Sequence, residues 1–172
     1  DHSYQVAVAL LEDAVDLNEG RVALLVPSGV EYVAGQWGIW RAGGVVAPLC
    51  LSATEPELEY SLTDASVAVV VTTAPLAPKV LPLCAKHNLR MLVLEDITAE
   101  SDRVLPEVNV ERRAMILYTS GTTSKPKGVV TTHANIQAQI EALVEAWEWS
   151  AEDRIPLFLP LHHVHGIINV LA

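Results

Sequence analysis

Four short apolar runs, at residues 21–26, 45–49, 67–71 and 90–94, recur along the first half of the chain with a helix-length stretch between each pair. They are continuous rather than alternating, and Val and Leu recur through them. A strand buried on both faces reads this way, because neither side of its pleat meets water. Strands of that kind separated by helices form parallel βαβ units. The expected fold class is therefore α/β, with parallel βαβ units and helices on both sheet faces.

The intervening stretches carry helix signals. Tyr4, Val8, Leu11 and Val15 fall at helical spacing, and Gly20 follows where a helix would stop. Val33, Trp37 and Trp40 repeat the spacing over residues 30–42, and these tryptophans are expected to pack into the core. Thr54 and Glu57 form a capping box with Pro56 in the first turn, which starts a helix running to about residue 65. A proline-interrupted helix is expected over residues 76–87. Residues 95–112 are acidic, contain Pro106 and lack periodicity, so they read as a surface connection and a candidate step between subdomains. Beyond them come a strand at 114–118, a second beginning at 129, and an amphipathic helix over 133–149. Ile136, Ile140, Leu143 and Trp147 share one face of that helix, and Thr131 or Thr132 caps it. A last strand is expected at 155–159, ended by Pro160.

Between the strands at 114–118 and 129 lies the stretch richest in chemistry, Y-T-S-G-T-T-S-K-P-K-G-V at residues 118–129. Gly121 and Gly128 permit backbone conformations closed to other residues, so amides between them can converge on an anion. Thr119, Ser120, Thr122, Thr123 and Ser124 add hydroxyls, while Lys125 and Lys127 add charge. This is a phosphate-binding composition. It is not a Walker A loop, because Pro126 stands where that motif needs its second glycine, and a P-loop kinase is excluded with it.

The net charge of −10, from 11 Lys+Arg against 21 Asp+Glu, argues against a nucleic-acid partner. Between Arg112 and His133, however, basic residues occur without acidic ones, so positive charge gathers at the loop. Cys50 and Cys84 follow no metal or redox spacing and read as reduced core thiols. No apolar segment is long enough for a membrane span, and the compartment stays open between cytoplasm and mitochondrial matrix. His162, His163 and His165 cluster before Gly166 without the further ligands a zinc site needs. In an extended segment His163 and His165 share a face; in a helix His162 and His165 do. Imidazoles there suit a short acid with a second carboxylate, which an apolar pocket would reject.

Residues 116–129, followed by Thr132, His133 and Asn135, resemble the ATP-binding signature of the adenylate-forming enzymes: acyl-CoA synthetases, luciferases and peptide-synthetase adenylation domains. L-P-L-H-H-V-H-G at 159–166 resembles the acyl-pocket motif of the acyl-CoA synthetase branch, in the form carried by malonyl-CoA synthetases, and residues 40–49 resemble an early core motif. The resemblance implies the first part of a large N-terminal domain whose C-terminal partner domain lies elsewhere in a longer parent chain, and this piece alone is expected to be inactive. It implies ATP with Mg2+, a carboxylate substrate such as malonate or methylmalonate, and coenzyme A. Thr119, Ser120, Gly121, Thr122, Thr123, Ser124, Lys125, Lys127 and Gly128 would hold the nucleotide, Lys127 and Thr119 acting in catalysis. His163, His165 and Gly166 would meet the acid. Ser124 departs from the pattern, where glycine is usual. His133 and Asn135 match family positions and equally suit a first-turn polar pair. A monocarboxylate ligase, an adenylation domain and a non-catalytic nucleotide-binding module are the rival readings.

Overall fold

A computed structural model describes residues 1–98, 102–119, 125–156 and 158–168. Its helices and strands alternate from the start: α1 (His2–Leu11), β1 (Arg21–Leu25), α2 (Val30–Arg41), β2 (Val45–Pro48), α3 (Glu55–Asp64), β3 (Val69–Thr72), α4 (Ala77–His87) and β4 (Arg90–Val93). A 3-10 turn at Leu94–Asp96 follows, then β5 (Arg113–Thr119), β6 (Lys127–Thr132), α5 (His133–Trp147) and a single helical turn α6 (Val164–Gly166). The strands form one six-stranded sheet in the order β4-β3-β1-β2-β5-β6. The first five in that order are parallel, and β6 returns antiparallel beside β5. The α/β expectation therefore holds, with a hairpin at one edge where sequence alone indicated two strands without a direction.

Successive side chains of each strand point to opposite faces, so the continuous apolar runs feed two separate cores. Val22, Leu24, Val46, Val71, Met115 and Leu117 pack with α1, α2 and Ile136 of α5. Ala23, Leu25, Val45, Ala47, Val70 and Ile116 pack with Leu58 and Leu62 of α3 and with Val80 and Leu83 of α4. The connection over residues 95–112 carries the chain from the β4 edge to β5 on the far side of β2. Tyr4 Oη donates to the Arg103 carbonyl at 2.8 Å, holding that connection against α1.

Four expectations are corrected. The first helix ends at Leu11 and buries Ser3, Val6, Ala7, Leu10 and Leu11, while Val15 is 79% exposed. Trp37 is 44% exposed, whereas Trp40 packs half-buried against the core as expected, its Nε1–H donating to the Ala114 carbonyl at 2.8 Å. The reason is spacing: a Cβ on Gly38 would lie 2.6 Å from Val6 Cβ, and one on Gly35 would lie 2.8 Å from Leu24 Cδ1. α2 meets α1 and the sheet through these glycines, too closely to bury the Trp37 indole between them. Residues 155, 156, 158 and 159 form no strand, and Phe158 is 78% exposed. An apolar run becomes a strand only when a neighbour takes its backbone hydrogen bonds, and among the described residues the ladder ends at β6. Cys84 is buried as expected, but Cys50 is only partly so.

Candidate nucleotide and acyl site

β5 climbs out of the core residue by residue. Ala114 to Leu117 are buried, Tyr118 is half-buried and Thr119 is exposed. β6 starts opposite it, with Thr119 paired to Lys127 and Tyr118 to Gly128. Gly128 is extended in this ladder and does not take the left-handed backbone expected of it. What it needs is space: a Cβ there would lie 3.0 Å from Ile116 Cγ2 and 3.5 Å from the Tyr118 ring. The glycine lets the Tyr118 ring lie across β6. Ser120, Gly121, Thr122, Thr123 and Ser124 lie outside the described residues.

A cleft of about 530 Å³ opens at the carboxyl ends of β2 and β5. Open α/β sheets bind ligands outside the carboxyl ends of their strands. Thr119, Lys125 and Pro126 line it from the hairpin, Cys50 and Ser52 from the segment after β2, Tyr60 from α3, and His162 from the histidine cluster. Lys127 and Gly128 are exposed on β6 beside it.

Electrostatics narrow the list of cations. Arg112 Nη1 and Nη2 donate to the two Asp16 oxygens at 2.7 and 2.9 Å, and Arg113 pairs with Glu19. The hydrogen bond from Arg112 holds the Asp16 carboxyl below its usual range, and that from Arg113 does the same for Glu19. Half of the positive charge counted around the loop in the sequence is thus already compensated. Lys125 and Lys127 have no carboxylate partner among the described residues. Lys125 Nζ sits 5.5 Å from the centroid of the Tyr60 ring, within cation–π range.

The histidines divide unequally. His163 stands in extended conformation as the N-cap of the α6 turn, and both it and His165 are exposed. His162 reaches the cleft, and its ring centroid lies 4.3 Å from that of His163. Burial, then the neighbouring His163, push the His162 pKa down, so the ring facing the cleft favours its neutral form. Gly166 is buried, and a Cβ there would lie 2.4 Å from the Pro160 carbonyl oxygen, so no side chain fits at this turn. Asn135 completes a capping box with Thr132, accepting from Thr132 N–H at 3.0 Å and donating its own N–H to Thr132 Oγ1 at 3.1 Å. His133 lies edge-on to Trp40 at 5.6 Å, in a separate groove with Leu105 and Pro106. Neither residue reaches the cleft.

Tyr60 and Asp64 are the residues beside the loop that sequence reading missed, and His162, named there in the histidine cluster, is the one of the three histidines that lines the cleft. Tyr60 and Asp64 sit four apart on α3, away from the Leu58 and Leu62 face, so helical periodicity marks them as one exposed pair.

The chain is similar to known proteins over nearly its whole length. It is 39% identical to a protein named malonate–CoA ligase ACSF3, mitochondrial, of Xenopus laevis over 160 residues, which are 88% of this chain and 28% of that protein. It is 32% identical to the long-chain-fatty-acid–CoA ligase FadD13 of Mycobacterium tuberculosis, over 88% of this chain and 32% of that one. Among solved structures, ATP-bound MatB from Rhodopseudomonas palustris matches with a TM-score of 0.86 and 28% identity, covering 99% of this chain and 36% of that one. The chain thus spans roughly a third or less of the length of these relatives. The AMP-binding enzyme family model matches residues 1–172, and with the identities above it shows that the chain belongs to the AMP-binding enzymes.

Proposed function

We propose that this chain is the nucleotide- and acyl-binding beginning of an ATP-dependent acid–thiol ligase that converts malonate, or methylmalonate, to its CoA thioester. The observation that carries the reading is the convergence of Thr119, Lys125 and His162 on one cleft at the strand ends, with Lys127 beside it. The carboxylate oxygen of the acid attacks the α-phosphorus of ATP, forming the acyl-adenylate as the α–β bridging P–O bond breaks and pyrophosphate leaves. The thiol of coenzyme A then takes the acyl group and AMP departs. In the first step Lys125 and Lys127 offset the charge gathering on the triphosphate, and Thr119 donates a hydrogen bond. This is positioning and electrostatics rather than proton transfer. Ser120, Gly121, Thr122, Thr123, Ser124 and Gly128 belong to the same proposed cradle, with His163, His165 and Gly166 kept as proposed contacts of the acid beside His162.

Among the described residues no group of three or more His, Cys, Asp or Glu could hold a metal ion. Magnesium is assigned here as a companion of the nucleotide's phosphates, and no step is derived through it. The relatives named mitochondrial support a mitochondrial location over the cytoplasm for this protein. No helix among the described residues is long and apolar enough to cross a membrane.

One observation favours a second reading. Pro48, Leu49, Ala53 and Leu58 line the same cleft, and an apolar wall suits a monocarboxylate better than a second carboxylate. ATP–pyrophosphate exchange by the full-length parent decides between them. Malonate should support exchange well above butyrate, and K125A/K127A should reduce it by at least tenfold at limiting ATP. Butyrate preference would select the second reading, and an unaffected double variant would overturn the site.

A further inference from the structure

The outer face of α3 holds the base of the phosphate loop by contacts the proposed reaction does not use. Tyr60 Oη donates to the Pro126 carbonyl at 2.9 Å. The Tyr60 ring lies under Lys125 Nζ and meets the Tyr118 ring edge-on at 6.1 Å. Tyr118 Oη donates to Asp64 Oδ2 at 2.8 Å. The two tyrosines thus grip opposite feet of one loop, Tyr118 at the end of β5 and Tyr60 at residues 125–126. Asp64, one helical turn from Tyr60, anchors the Tyr118 side. α3 itself is fixed by Leu58 and Leu62 in the core and by its Thr54–Glu57 capping box. The phosphate loop is therefore referenced to a rigid element.

We propose that Tyr60 is a positioning residue. Its hydroxyl fixes Pro126, and its ring holds the Lys125 ammonium beside the cleft mouth, from which the lysine transfers to the incoming triphosphate. The inference rests on the ligase reading above and extends it to a residue outside the loop. Its chemistry separates into two parts. Tyr60→Phe removes the hydrogen bond to Pro126 and keeps the ring for Lys125. Tyr60→Leu removes both.

The test uses full-length parent protein. In pyrophosphate exchange at saturating acid, Tyr60→Phe should raise KM for ATP about three- to tenfold, and Tyr60→Leu further, with kcat changed less than KM. KM for the acid should stay within twofold, which a general loss of structure would not spare. Hydrogen exchange of a peptide spanning residues 125–132 should accelerate in both variants without nucleotide, while peptides from β1 and α4 stay unchanged. Unaltered exchange at 125–132 would overturn the clamp. Faster exchange with an unchanged KM for ATP would overturn the positioning role. If wild-type parent gave no ATP-dependent exchange with any acid, the ligase reading would fail on that result alone, and the positioning role with it. The peptide measurement would still decide whether the clamp exists.

Discussion

Replacing Asp16 with Asn removes one negative charge from the least exposed ion pair among the described residues while preserving shape. In the native protein Arg112 makes two hydrogen bonds to the Asp16 carboxylate and a third, at 2.7 Å, to the Gly43 carbonyl, with the two side chains 19% and 20% exposed. Those contacts tie the segment after α1 to the turn before β2 and to the start of β5. Asn keeps one oxygen but turns an amide N–H₂ toward a guanidinium, so one charge-assisted bond is lost and the other weakened. Hydrogen bonds to charged groups contribute about 1.5–3 kcal/mol, and partial exposure favours the lower end, giving an expected loss of about 2 kcal/mol. The pH dependence follows from the direction of the shift. Asp16 has a depressed pKa when folded, so its contribution is complete above the unfolded value of about 3.9 and is lost as pH falls through the lower native value. Urea unfolding of wild type and Asp16→Asn should therefore differ most near neutrality, and the gap should narrow below about pH 4. A gap under about 0.5 kcal/mol at neutral pH would refute the reasoning, being no more than an ordinary surface substitution costs. So would a gap that persists undiminished into acid.

Two further outcomes follow from packing. Gln36 is fully buried, and neither amide atom finds a hydrogen-bond partner among the described residues; Gln36→Met should leave thermal stability unchanged or raise it by about 1–2 kcal/mol, and a loss above about 1 kcal/mol would mean the amide has a partner. Gly38→Ala should lower stability by about 1–2 kcal/mol despite the gain in helix propensity, because its methyl meets Val6 at 2.6 Å; a higher melting temperature would show that α1 moves away freely.

What could be read from the sequence was whatever has a local cause. The Thr54–Glu57 capping box forms from neighbours in the chain, and it stands in the structure. The apolar runs became strands because burial on both faces leaves a signature in composition alone. Val15 misled because the helix stops at Leu11, and Trp37 because its spacing matched a helix face that the real packing does not use; the tight approach of Gly38 to Val6 of another helix decides the second. The cleft followed the same division. Its two lysines stood out as charge in a Ser/Thr/Gly-rich stretch. Tyr60 did not, since it meets the loop only through the fold, and the histidine cluster stood out without showing that His162 is the one the short turn aims into the cleft.

The Thr119–Lys127 pairing fixes both feet of the proposed phosphate loop side by side. A segment strung between distant elements would surrender much freedom on wrapping around a ligand, whereas here the ends have been brought together by folding itself. The entropy of closing the circle is already spent before nucleotide arrives. Lengthening residues 120–126 by one or two should accordingly weaken nucleotide affinity only gradually, since the cost of a longer ring grows with the logarithm of its size.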